Sequence, residues 1–317
     1  MGRYVLRRLG FLLLTLALTS ILVFGVMQLV PGDVARIVLG REASPDAVAE
    51  LRRDLGLTEP LPVQYGQWLG NFVTGDWGQA YTFPQQPDIR PLVMEKLGNS
   101  LRLAVLVLLL AMPLSIVVGV WAGLNENRWP DNVVSIGSLA AVGLPEFVTG
   151  LILIEIFTYA FGWVPGSATG AADLPFFEAL PQLILPALTA TLVLLAYIAR
   201  LVRAGVIEEL QKPYVRTATL KGLATRVVLA KHVLRNALLP TITVIAISFG
   251  WLIGGLIVIE VVFNYRGLGL LLLTAIDRRD LLLVQAITMV IVTGVALANL
   301  AADLLYAYLN PRIRLND

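Results

Sequence analysis

The sequence predicts an all-α polytopic membrane protein with six transmembrane helices and both termini in the cytoplasm. Three observations carry that expectation. Hydrophobic residues make up 57% of the 317 residues while charged residues reach 15%, against about 25% in soluble domains, and the mean hydropathy is +0.78. Apolar blocks of about 20 residues, the length that crosses a bilayer core, recur along the chain. No ten-residue alternation suggests a barrel, and a spanning backbone must satisfy its own hydrogen bonds, so the blocks are expected to be helices. The chain has no cysteine, which excludes a disulfide framework, Cys-ligated zinc and thiol catalysis. A net charge of +2 says little about partners, because it averages over two sides of a membrane.

Taken in order, Arg3, Arg7 and Arg8 stand directly before the apolar run 9–30. That run is too long for a signal peptide and lacks a small-x-small cleavage site. Residues 1–31 therefore read as a cytoplasmic tail and an uncleaved first span. Residues 32–100 are the one long polar region and are assigned outside. Within it, Ser44, Pro45 and Asp46 read as N-cap, first helical residue and first-turn acid of a helix ending near Leu55. Pro60 and Pro62 break it. Tyr65, Trp68, Leu69 and Phe72 then fall at i, i+3, i+4 and i+7, forming one aromatic face. It suits either the membrane interface or the core of a small extracytoplasmic cap.

Residues 101–317 hold the remaining spans, at 101–124, 133–161, 182–201, 239–263 and 281–305. The turn 125–132 carries Arg128 and is placed inside. The loop 162–181 lacks Lys and Arg and is placed outside, with 264–280. The chain ends inside with Arg312 and Arg314. Pro113, Pro145 and Pro186 can each kink a helix. Gly250, Gly254 and Gly255 give the fifth span a small-residue face for close helix approach.

Residues 214–240, YVRTATLKGLATRVVLAKHVLRNALLP, are the most basic run, with Arg216, Lys221, Arg226, Lys231 and Arg235 and no acid. Pro213 can end the preceding helix and Pro240 can restart one. Gly222 separates two short helical patterns, with Thr225 as the expected N-cap of the second. The spacing of glycine, His232 and the LRNALLP tail resembles the EAA loop of ABC-importer permeases. The wording resembles the dipeptide/oligopeptide branch of that family, as do DLGLTEPLPVQYGQWLGNFVTGDWG and the LNPRIR tail. Ala218 and Gly222 match the general EAA pattern, whereas Arg216 and Thr217 replace its Glu and Ala.

This resemblance implies a permease subunit that does no bond chemistry and needs no cofactor. It implies a second homologous permease, two ATP-binding subunits, an extracytoplasmic substrate-binding protein and membrane lipid as partners, and no nucleic acid. It makes 214–240 the coupling loop, with Arg216, Thr217, Ala218, Lys221, Gly222 and His232 meeting the ATPase. The substrate class it implies is di- or oligopeptides, although similar permeases serve nickel chelates, glutathione and some sugars.

No Gly-x-x-x-x-Gly-Lys-Ser/Thr loop and no His-Glu-x-x-His motif occurs, and His232 is the one histidine. No metal site and no catalytic set is expected. Acids inside spans are more informative, since a central charge costs about 2.5–3.5 kcal/mol to insert. Glu260 and Glu155 are candidates for the translocation path; Glu260 also has a structural reading, pairing with Arg266, Arg278 or Arg279. Asp303 reads as structural. An ion-coupled carrier using Glu155, Glu260 and Asp303 is the second functional reading; unlike the permease, it needs no partner. An intramembrane hydrolase lacks its nucleophile–base set.

Overall fold

The computed structural model describes residues 2–29, 34–39, 43–54 and 56–309. Residues 310–314 of the LNPRIR tail, with Arg312 and Arg314, lie beyond the described residues. Helix α1 (Gly2–Leu29) leaves Leu6, Leu13, Leu18 and Leu22 exposed, as expected where lipid is the solvent. Two short helices follow, α2 (Val34–Leu39) and α3 (Pro45–Asp54). Ser44 caps α3 as predicted, its Oγ accepting the Ala47 amide at 3.3 Å. Pro60 precedes α4 (Leu61–Thr74), and Gly75, at φ +90°, closes it by donating its amide to Asn71 and Phe72.

The aromatic face of α4 packs on α1. Phe24 meets Tyr65 and Trp68 at ring distances of 5.5 and 5.8 Å, and Tyr65 Oη lies 2.8 Å from Ser20 Oγ. The ladder continues to Phe72, stacked on Trp77 at 5.0 Å.

Helix α5 (Ile89–Leu124) starts at Ile89 rather than at residue 101. Its first three turns bury Ile89 and Val93 against Leu268, Leu271, Leu283 and Ile287, so tertiary packing lengthens a helix whose amphipathic start looks like loop. The expected span 133–161 is two helices, α6 (Trp129–Gly143) and α7 (Glu146–Ile154), bent by 105°. Pro145 explains the break: it has no amide to continue the ladder and caps α7 at ψ 141°. A π-helical turn, Glu155–Ala160, prolongs α7.

Helix α8 (Phe176–Leu210) carries Pro181 and Pro186 inside it. It precedes α9 (Pro213–Leu220), α10 (Thr225–Val227), a π-helical turn at Val228–Val233 and α11 (Leu234–Ala237). The expected span 239–263 is divided at Leu256 into α12 (Leu239–Gly255) and α13 (Ile257–Val262). After α14 (Leu268–Asp277) comes α15 (Leu281–Leu309). Among the described residues, four helices are long and apolar enough to cross a membrane, and the bent α6–α7 pair makes five.

The central seam joins α5 to α8, where Leu103, Val107 and Ala111 pack with Leu183, Ala190 and Ile198. Gly119 and Gly123 permit this approach. A Cβ on Gly119 would sit 2.6 Å from the Ala199 carbonyl, and one on Gly123 would sit 2.8 Å from Val206 Cβ. The expected glycine face on α12 is close at Gly250, where a Cβ would lie 3.3 Å from Ala298 Cβ, and looser at Gly254, where it would lie 3.8 Å from Ile291; the atoms nearest a Cβ on Gly255 belong to Trp251 of its own helix.

Polar contacts gather at two ends of the bundle. At one, Arg203 forks onto Asp131 and Arg8 pairs with Asp303 at 2.6 Å. At the other, Arg266 meets Asp173 at 2.8 Å, Asn264 donates to Thr169 at 2.9 Å, and Arg102 donates to the Leu174 carbonyl at 2.8 Å. There Thr82 donates to Asp280 at 2.9 Å.

Gly119→Ile is expected to destabilise the chain by about 1–3 kcal/mol through overpacking of the seam, read as a lower thermal midpoint in detergent. Gly98→Ala, where an added methyl meets nothing within 4 Å, should be neutral or slightly stabilising. Equal behaviour of the two would remove the seam from the account of stability.

Candidate functional site

Pro213 ends the approach to α9 as predicted, standing at its first helical position behind Lys212. The stretch then folds back on itself. Val215 and Ala218 form the buried face of α9, packed in the same core as Val228 and Val233 of the π-helical turn. Arg216, Thr217, Lys221 and Gly222 are exposed. Of the sequence-derived set, Ala218 is thus the inward member.

Gly222 adopts φ +77°, and a Cβ added there would meet nothing within 4 Å. Its constraint is conformational, since a side-chain residue in the left-handed region costs roughly 1 kcal/mol or more. Leu220 is 79% exposed and Leu223 41%, so two apolar groups flank the glycine at the tip. Sequence reasoning passed over both, although leucines beside a glycine in a basic loop are the visible signal. Thr225 is not the N-cap: Ala224 takes that position with no side-chain bond, and Thr225 is the first residue of α10.

The loop is tied to α8 by a network built on Glu209, a residue the sequence did not single out. Lys212 Nζ lies 2.5 Å from Glu209 Oε1, and Tyr214 donates its hydroxyl to the other carboxylate oxygen. Asn236 donates to Tyr214 Oη at 3.1 Å and to the His232 carbonyl at 3.0 Å. His232 is half-buried and enters this network through its backbone. Bonding to Glu209, then to Glu208, raises the Lys212 pKa. Burial, with the Glu209 bond second, raises that of Tyr214. The end of α8 and both arms of the loop are therefore bonded into one assembly.

Residues 115–315 match the family model "Binding-protein-dependent transport system inner membrane component", and residues 1–90 match the N-terminal model of the same transport systems. The chain belongs to this family of permeases. It is 36% identical over 316 residues, 99% of both chains, to proteins called "Glutathione transport system permease protein GsiC". Those from Salmonella choleraesuis strain SC-B67 and Escherichia coli strain K12 are two such relatives.

The protein is accordingly an inner-membrane transport subunit of an ABC importer and not an enzyme. In general terms, membership implies a substrate-binding protein, a second permease and ATPase subunits. The stand-alone carrier is displaced as a reading.

The permease treats its span acids in different ways. Glu260 is 1% exposed and turns to the start of α14. Its Oε2 accepts the Gly269 amide at 2.7 Å and the Leu270 amide at 3.2 Å. Ser100 donates to Oε1 at 2.5 Å and accepts the Leu268 amide at 2.8 Å. Gly267 makes room, since a Cβ there would clash with the carboxylate at 2.2 Å.

None of the three expected arginines reaches Glu260. Arg266 takes Asp173, and Arg278 lies over Phe83 and donates to the Thr82 carbonyl. Arg279 forms none of the described ion pairs. The amides compete successfully because they are adjacent and preorganised. Asp303 is structural through Arg8. Glu155 is exposed at the start of its π-helical turn, and its carboxylate makes no hydrogen bond or ion pair among the described residues.

Glu260→Ala should cost about 3 kcal/mol, by stranding the Ser100 hydroxyl and two buried amides. Glu260→Gln, which can still accept from the amides and donate to Ser100, should lose much less. Thermal unfolding of the two purified variants checks this, and matching midpoints would refute the capping role.

Proposed function

We propose that this permease forms one half of the translocation path of an ATP-driven importer for di- or oligopeptides. It has six spans, with both termini and residues 214–240 in the cytoplasm. Residues 1–31 carry the tail and first span, 32–100 the extracytoplasmic segment, and 101–317 the five-helix transport domain. The path is completed by a second, homologous permease. Two ATP-binding subunits dock beneath, a binding protein delivers solute from outside, and lipid surrounds the apolar flanks.

The observation that carries the reading is the exposed ridge of α9. Arg216, Thr217, Leu220, Lys221 and Gly222 stand clear while Val215, Ala218 and the Glu209 network anchor them. Closure of the ATPase pair presses on this ridge, and the bonded assembly passes the displacement to α8. His232 acts from behind the ridge. The two polar ends support the orientation: the loop 162–181, which lacks Lys and Arg, shares one end with 264–280, and Asp131–Arg203 lies at the other. A peptide substrate is consistent with relatives named for glutathione, itself a peptide.

The absence of cysteine in the chain permits a direct topology experiment. A cysteine at Ser167 should be labelled from outside, and one at Ala224 only from inside. Labelling of position 224 from outside would remove both the orientation and the coupling role.

Coupling is tested by Gly222→Leu in the reconstituted complex, with uptake and ATP hydrolysis measured together. The variant should insert and pair with its partner permease. Uptake should fall at least tenfold, a barrier change of about 1.4 kcal/mol, whether the ATPases are lost or turn over without transport. Ala224→Ser should have little effect. Normal uptake by Gly222→Leu would make the stretch an ordinary cytoplasmic loop.

A further inference from the structure

The carboxylates that sequence reasoning placed on the path, Glu155 and Glu260, are not in the wall of the hollow at mid-bundle, but a third carboxylate is. Where α6 and α7 bend apart, they enclose with α8 and α12 a hollow of about 660 Å³. That volume lies within the range of small-solute sites. Its wall is mostly apolar, with Val142, Val193, Leu194 and Ile247 contributing, and Glu146 is the acid that lines it. Tyr197 and Trp251, 52% and 41% exposed, supply two aromatic faces. Residues 193–197 lie mid-way along α8 and 244–251 mid-way along α12, so the hollow is remote from both polar ends.

Glu146 is half-buried and makes no hydrogen bond or ion pair among the described residues. Its position in the first turn of α7 favours a negative charge, which accounts for tolerance of the acid. It does not account for the second unpaired charge nearby. Arg200 follows Tyr197 by three residues and Val193 by seven, which places it on the same face of α8, one turn beyond the residues that line the hollow. Its Nε is buried without a hydrogen-bond partner, and no described acid pairs with it. Ionisable groups in a span are costly, and those left without internal partners mark solute pathways.

We infer that this hollow is a transit subsite for a zwitterionic solute. Glu146 receives the ammonium group, Tyr197 and Trp251 flank that cation with their ring faces, and Arg200 receives the carboxylate. The inference rests on the importer reading and extends it to the charges that the pathway recognises. A cationic side chain of the partner permease would also neutralise Glu146. The solute is favoured because the space beside the carboxylate is cavity-sized and walled by exposed aromatics.

The test uses the complete complex in proteoliposomes, with uptake expressed per ATP hydrolysed. The probes are a tryptic peptide mixture, its N-acetylated counterpart and its C-amidated counterpart. Glu146→Gln should lower uptake of free peptides about tenfold, as expected for loss of one desolvated charge contact, while leaving N-acetylated peptides unaffected. Arg200→Gln should do the same for free peptides while sparing the C-amidated ones. Glu146→Asp, which keeps the charge, should retain most free-peptide uptake, and Glu178→Gln on the exposed start of α8 should change nothing.

Unchanged free-peptide uptake in both neutral variants would overturn the inference, as would an equal loss for all three mixtures. Failure of either variant to co-purify with the partner permease would assign these charges to the subunit contact and overturn it too. If the unmodified complex imports none of the mixtures, the peptide reading itself fails, and the zwitterionic class fails with it.

Discussion

Gly119 and Gly123 allow α5 to lie so close to α8 that any side chain at either position would enter Ala199, Val202 or Val206. In lipid, helices gain little from burying one apolar surface against another, because the tails are as apolar as leucine. Close backbone approach and the dispersion contacts it permits must hold the pair. This seam then sets the position of both polar ends. Toward one end it brings Asp131, at the start of α6, onto Arg203 of α8. Toward the other end it presents Ser100 of α5 to Glu260 and Arg102 to the Leu174 carbonyl.

From α8 the arrangement continues into the loop 214–240 through direct bonds rather than through flexible chain. A third glycine, Gly205, lets α8 pass the Ala237 carbonyl, which a Cβ would approach to 2.8 Å. Glu209, Lys212, Tyr214 and Asn236 then fasten the loop's entry and exit to the helix end. The proposed coupling role requires such an anchor. An exposed ridge on a slack tether would absorb displacement instead of passing it on.

The helical membrane class was legible because it depends on composition and on block length, which are properties of single segments. Pro213, Gly222 and Ser44 were legible for a similar reason: each acts on its own backbone or on amides within three residues. What escaped was decided between segments. Ile89 and Val93 extend α5 because α14 and α15 cover them, and nothing local to residues 89–100 signals that cover. The α4 aromatics were readable as a face, but the surface they meet, Phe24 and Ser20 of α1, lies some forty residues earlier. The Glu209 anchor looked like one charge among several at a helix end. Its role depends on Tyr214 and Asn236 folding back to it.

The two acids Glu260 and Glu146 show how the same side chain can serve opposite ends in a low-dielectric setting. Both follow backbone interruptions, at Leu256 and at Pro145, and both lie beside the first turn of a helix, α14 and α7 respectively. Glu260 has three hydrogen bonds from the chain's own groups, and Gly267 has given up its Cβ to admit it. Its carboxyl group is therefore committed to holding α14 against α5. Glu146 faces a cavity with no donor to its carboxylate among the described residues. A span acid whose partners are internal is part of the frame, because moving it would strand amides at about 1–3 kcal/mol each. One whose partners are missing keeps its interaction free energy in reserve for whatever enters. In the proposed pathway the bend at Pro145 borders the hollow, while the carboxyl group that follows the break at Leu256 ties α13 to α14.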